Sequence, residues 1–210
     1  LAYAMALRDD GRALLVSHDV LDQELGPDVH LLDPDAPEVV TSGDVFPEEA
    51  WIVGGFDVTS NGRHAILGDN AEYTAVGFRL GVAAVGSGSV RGVQVVEDVE
   101  DPIALLASPY DDAVLVVSGY GDALLHFAYD PDAERPLTRV GELDYAGPRP
   151  ALPGAAVMIE RGALEGLVLV AENVAVRRVR FEGGGAVTDL GPLTLGSGTA
   201  AITGSLGVQP

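Results

Sequence analysis

The chain contains no cysteine and no lysine. Without thiols it forms no disulfide framework and runs no thiolate chemistry. Without lysine, all positive charge rests on arginine: Lys and Arg together number 12 against 32 acidic residues, for a formal net charge of −20. A surface of that sign repels nucleic acid, whose binding depends on neutralising phosphates. It attracts cations and basic partners instead. No apolar run approaches the roughly 18 residues that a membrane span requires. No initiator Met and no basic leader precede "LAYAMALRDDGR", so this start reads as the interior of a longer protein rather than as a signal peptide. Helical periodicity is also missing, and only "FPEEAWI" is expected to make a single helical turn.

What is present is a repeat. Apolar content of 47% excludes a disordered chain, and the apolar residues recur in short runs behind turns. The runs are "LRDDGRALLVSHD", "VTSNGRHAILGDN", "ASPYDDAVLVVSGYGD" and "MIERGALEGLVLVAEN", aligned on Gly11, Gly62, Asp112 and Glu165. A weaker pair of apolar segments follows each run, punctuated by Gly, Pro, Asn and Asp. Four strands in each period of about 50 residues predict an all-β chain built as a β-propeller of about four four-stranded blades. The unbroken apolar character of "ALLV", "AVLVV" and "LVLV" fits strands covered on both faces, where in/out alternation is lost. A plain β-sandwich, the alternative, needs no such beat. The expected organisation is one domain over 1–210, with blades at about 1–52, 53–102, 103–153 and 154–198 and a strand of a further blade in 199–210.

The turn-and-run units "VTSNGRHAILGDN" and "ASPYDDAVLVVSGYGD" resemble the Ser-Pro-Asp-Gly beat of the YVTN/lactonase-type propellers. The likeness covers the turn and run of each copy; the third copy lacks the turn glycine and the fourth lacks the Ser-Pro-Asp-Gly element. The resemblance implies a ring of about seven blades, so the four copies are expected to be part of a larger propeller.

Antiparallel order places the connections between the second and third strands of each blade, and those between blades, at one end. Acids crowd that end, and Arg149 is the one base assigned to it; the other end mixes acids with Arg8, Arg12, Arg63, Arg91, Arg135 and Arg161. The expected binding mouth is therefore acidic, formed by His18, Asp19, Asp69, Asn70, Tyr120, Asp122, Glu172 and Asn173. Carboxylate and amide oxygens converging there suit Ca²⁺ or Mg²⁺, although no cofactor is required. Tyr120, between two glycines, is placed to stack on a ligand.

Other chemistry reads as structure. Ser17, His18 and Asp19 are adjacent, and neighbours on an extended chain point to opposite sides, so they form no triad. His30, His64 and His126 have no zinc spacing and sit in strands. "DPDAPE" and "DPDAER" are turns rather than calcium loops, and "GSGSVRG" is a hairpin with no helix behind it to hold phosphate. The expected function is a non-catalytic module, secreted or periplasmic in a bacterium or archaeon, that binds a small-molecule or protein partner, cationic or polyhydroxylated, at the acidic mouth. The alternative is a lactonase-like hydrolase using carboxylates or a divalent ion. That chemistry calls for an Arg or His facing the carboxylates, and only His18 and Arg149 stand at that end in this reading.

Overall fold

The computed structural model describes residues 2–8, 10–17, 26–36, 38–47, 50, 52, 55–70, 77–119, 123–144, 153–172 and 175–194. They form four four-stranded antiparallel sheets, each a simple meander in chain order. The first holds β1 (Ala2–Leu7), β2 (Ala13–Ser17), β3 (Val29–Asp33) and β4 (Glu38–Gly43). The second holds β5 (Phe56–Val58), β6 (His64–Asp69), β7 (Arg79–Val85) and β8 (Val90–Val96). The third holds β9 (Pro102–Ala107), β10 (Ala113–Ser118), β11 (Ala123–Tyr129) and β12 (Leu137–Asp144). The fourth holds β13 (Ala155–Met158), β14 (Leu167–Ala171), β15 (Ala175–Gly183) and β16 (Ala186–Thr194). The first strands β1, β5, β9 and β13 approach one another in succession around the axis. The chain is a four-bladed arc of all-β propeller. Glu48, Glu49 and Trp51 of the expected helical turn at "FPEEAWI" lie outside the described residues, as do 199–210.

Burial explains the strand sequences. β6 and β10 are buried at every position, because the second and third sheets have a neighbour on each face. β15 alternates between buried and half-buried positions, because the described residues cover one face of the fourth sheet. Three apolar clusters fill the gaps between consecutive sheets. Leu14, Val16, Leu31 and Leu67 anchor the first, Ile66, Val82, Val114 and Phe127 the second, and Leu115, Val117, Val170 and Phe181 the third. Each sheet also carries a register shift between its third and fourth strands, at Leu31/Leu32, Val82/Ala83, His126/Phe127 and Arg178/Val179. Such a bulge increases local twist, and its recurrence gives all four blades the same curl.

The turns correct the alignment. Gly11, Gly62 and Asp111 each donate a backbone N–H to the residue three before, Arg8, Thr59 and Ser108. All three sit at positive φ, 81°, 67° and 55°. The third copy is therefore anchored on Asp111 and not on Asp112; aspartate is one of the few side chains that tolerates this region. The fourth copy is not anchored at Glu165. Its loop is longer, with Gly162 and Gly166 at positive φ and the Gly166 N–H donated to Ile159 O.

The Asp-Pro-Asp segments are turns. Asp33 and Asp130 accept the N–H of the residue two ahead, Asp35 and Asp132, at 3.0 Å each, which commits one carboxylate oxygen of each to its own turn. "GSGSVRG" opens with a hairpin closed from Gly86 N–H to Ser89 O. Glu142 and Asp144 belong to β12 and Asp189 to β16, so these acids stand in strands and not in the connections between blades.

Leu115 and Leu169 occupy equivalent places in β10 and β14, but Leu115 is fully buried and Leu169 only half-buried. In urea denaturation of the 210-residue chain, Leu115→Ala should cost about 2–5 kcal/mol and Leu169→Ala clearly less. Equal costs would contradict the one-sided covering of the fourth sheet.

Candidate functional site

The two ends of the ring differ in how their charges are spent. Of the residues expected to form an acidic mouth at one end, five, His18, Asp19, Tyr120, Asp122 and Asn173, lie outside the described residues. The other three already have protein partners. Asp69 closes β6 directly opposite Arg79, the first residue of β7. Its carboxylate is fully buried and accepts from Arg79 Nε at 2.9 Å and Nη2 at 2.5 Å. The guanidinium also lies 4.9 Å from the centroid of the Phe46 ring, a cation–π contact that ties the segment after β4 to the second sheet. Glu172 accepts from Arg177 Nε at 2.5 Å, and Arg177, wholly buried, also donates Nη1 to Asp189 at 2.5 Å. Asn70 donates Nδ2 to Asp101 Oδ1 at 2.6 Å, while its own buried Oδ1 has no partner among the described residues. Asp28, 2% exposed, accepts the N–H groups of Val45 and Phe46 at 2.7 and 2.8 Å.

Arg149, the one base expected at this end, lies outside the described residues. Arg79 and Arg177 stand inside strands there and neutralise three of its acids. Buried charges survive only when paired and hydrogen-bonded, and these pairs brace the blades. Among the described residues no group of three or more His, Asp or Glu side chains is placed to hold a metal ion.

The opposite end holds a cavity of about 480 Å³ where the inner strands finish. Its charged lining comes from Arg8 and Asp10 after β1, Asp57 on β5, and Glu160, Arg161 and Glu165 after β13; Thr59, Ser60 and Asn61 add hydroxyl and amide groups. A volume in the range of 300–1,000 Å³ suits a small ligand. Arg8 pairs with Asp10 at 3.2 Å and leaves Nε, buried, without a partner among the described residues.

Asp57 is the residue that sequence reasoning missed. Phe56 and Val58 pack against the cluster between the first two sheets, so alternation turns Asp57 the other way, toward β9. There Oδ2 accepts the Ala107 N–H at 2.7 Å, and Oδ1 accepts from Val58 N–H at 2.8 Å. The carboxylate caps a backbone donor on the open edge of β9. Gly55 permits this approach, since a Cβ there would stand 2.3 Å from Leu105 Cγ. Asp57 lies deep in the molecule while part of its surface opens to the cavity. Burial raises its pKa from the ordinary 3.8 to about 7; the charge of Glu160 adds to the rise and the two backbone hydrogen bonds oppose it. With the copies aligned on their turns, the same position holds Ala6, Leu106 and Val157. Leu106 is a buried member of the cluster between the third and fourth sheets. A carboxylate thus replaces an inter-blade apolar side chain.

The histidines are strand residues, as expected. His30 lies between Ser17 Oγ at 2.8 Å and Ser42 Oγ at 2.7 Å. His64 Nδ1 lies 2.7 Å from Tyr129 OH, beneath Thr59 and Asn61 of the cavity. His126 is buried with Nε2 unpartnered among the described residues. Burial lowers the pKa of all three.

No family model matches the chain, and no curated protein matches it in sequence. Solved structures do match in shape. A functionally unknown protein from Desulfotomaculum acetoxidans aligns with TM-score 0.74 at 14% identity, over 99% of this chain and 59% of that one. The periplasmic gluconolactonase of Pseudomonas aeruginosa aligns with TM-score 0.66 at 16% identity, over 94% and 58%. The WD40 domain of Toxoplasma gondii coronin aligns with TM-score 0.59 at 14% identity, over 92% and 45%. The chain spans little more than half the length of the first two structures and less than half of the third. The fold is that of the lactonase-like and WD40 propellers.

Two outcomes follow. Arg79→Ala strands a buried Asp69 and should destabilise the protein by about 3–5 kcal/mol in urea titration; a loss under 1 kcal/mol would show that the pair is solvated. For Asp57 the native state holds its proton more tightly than the unfolded chain. The stability this lends is complete below pH 4 and is lost as pH rises through about 7. The melting temperature of Asp57→Asn, relative to wild type, should therefore climb between pH 5 and pH 8. A difference that does not change with pH would contradict the raised pKa.

Proposed function

We propose that this chain is a ligand-binding propeller module and that the cavity over β5 is its site. One observation carries the reading: a carboxyl group with a pKa of about 7 stands at an open cavity, in a position where the other blades place Ala, Leu and Val. Retaining an acid there costs folding stability at neutral pH, and a bound ligand supplies a reason to retain it. The acidic far end serves as a second surface that draws in basic or cationic partners, with Asp122 and Asp19 among the acids assigned to it from sequence. A secreted or periplasmic location suits this reading, and the likeness to a periplasmic gluconolactonase supports it.

A second reading has an observation of its own. A carboxyl that titrates near neutrality is suited to general-base work, and the same solved structure is a gluconolactonase. In that reading Asp57 takes a proton from the water that attacks a lactone carbonyl, Arg161, exposed at the cavity rim, steadies the developing oxyanion, and Asp57 returns the proton to the ring oxygen as its bond to the former carbonyl carbon breaks.

Hydrolysis of glucono-1,5-lactone at constant pH separates the two. The binding module leaves the rate within twofold of the protein-free control. A saturable acceleration that disappears in Asp57→Asn would establish the hydrolase and sink the non-catalytic reading.

A further inference from the structure

The cavity reading leaves the chemistry of the ligand open, and the placement of Asp57 narrows it. Each oxygen of this carboxylate accepts one backbone N–H, from Val58 and from Ala107. A carboxylate oxygen has two lone pairs, so each keeps one acceptor site. The charged groups sharing the cavity are Arg8 and Asp10 from the β1–β2 turn and Glu160, Arg161 and Glu165 from the β13–β14 turn. Arg8 is bound to Asp10. That leaves three carboxylates, Asp57, Glu160 and Glu165, facing one further guanidinium, Arg161. The surplus in the cavity is of negative charge.

Resting on the cavity reading, we propose that the ligand is a small molecule carrying a primary ammonium group, held at Asp57 with Glu160 close by. An ammonium offers three N–H donors and no acceptor. It matches free carboxylate lone pairs and the exposed hydroxyl of Ser60, which donates to Pro109 O and keeps its own lone pairs. A metal ion fits less well, because hard cations require six or more oxygens close around them and no group of three or more His, Asp or Glu ligands is gathered among the described residues. The ammonium takes the place of the proton on Asp57. Below neutral pH binding therefore releases a proton to the solvent, and the carboxylate exchanges one positive partner for another.

The test is calorimetric titration of the 210-residue chain with n-butylammonium chloride, tetramethylammonium chloride, n-butanol and CaCl₂. It is run at pH 6 in two buffers of different ionisation enthalpy, and repeated with Asp57→Asn. Butylammonium should bind at least tenfold more tightly than butanol and tetramethylammonium, should release a substantial fraction of one proton, and should lose at least tenfold in Asp57→Asn. Melting curves at pH 5, where Asp57 is protonated, check that the variant folds like wild type. An Asp57-dependent Ca²⁺ signal with no butylammonium preference overturns the ammonium assignment and leaves the cavity reading standing. Equal binding of tetramethylammonium does the same, since charge without N–H donors then suffices. If no probe binds wild type, or Asp57→Asn binds every probe unchanged, both the assignment and the cavity reading fall.

Discussion

The structure depends on the burial of each sheet face against the next sheet. Sixteen short strands, several with Gly or Pro at their ends, hold little stability one by one. A lone sheet with both faces in water forfeits the burial of its Val and Leu side chains, each worth about 1.5–3 kcal/mol. Stacking recovers this, and it imposes a rule on every polar group that falls between blades. Such a group must be paired, as Asp69 is with Arg79 and Glu172 and Asp189 are with Arg177. It can instead replace backbone, as Gln94 does when its amide donates to Leu137 O and accepts from Leu137 N–H at 2.8 Å each. Asp57 satisfies the rule only in part: its hydrogen bonds are made and its charge is not matched, which is why the proposed site is placed there.

The charge pattern follows from the same rule. A net charge of −20 spread over one short chain repels itself. Part of that repulsion is removed where arginine is placed inside the fold, within β7 and β15, rather than on the rim. The acidic end is consequently less bare than its composition implies: Asp28, Asp69, Glu172 and Asp189 are tied into the blades. At the cavity end Arg8 pairs with Asp10 and Arg63 with Asp132, while the Asp57 carboxylate is held by backbone N–H groups alone.

The fold was legible because period and burial leave a direct trace in sequence. Of the three runs expected to be covered on both faces, "AVLVV" is so in β10, whereas "ALLV" in β2 and "LVLV" in β14 keep half-buried positions because they belong to the two outer sheets; the beat of turns marks the blades. The third and fourth anchors were misplaced because aspartate takes the left-handed position at Asp111, and because the fourth loop is longer than its counterparts. Arg79 and Arg177 were overlooked because "GFRL" and "VRRVRF" read as ordinary strands; that Arg79 stands opposite Asp69 appears only in the register, and that Arg177 reaches Glu172 beyond β14 and Asp189 on β16 only in the side-chain pairs. Asp57 did leave a signal: one acid between Phe56 and Val58 where the aligned copies read Ala6, Leu106 and Val157. Finding it required the corrected turn alignment, since a single charged residue in a three-residue strand passes for an edge position.

Native-state hydrogen exchange tests the claim that burial between sheets holds the molecule together. The account predicts that the amides of β6, β7 and β10, in the two central sheets, exchange last and in one cooperative step, well after β4, β8, β12 and β16 on the rim. Equal protection in the rim strands, or four sheets that exchange as independent units, would contradict it.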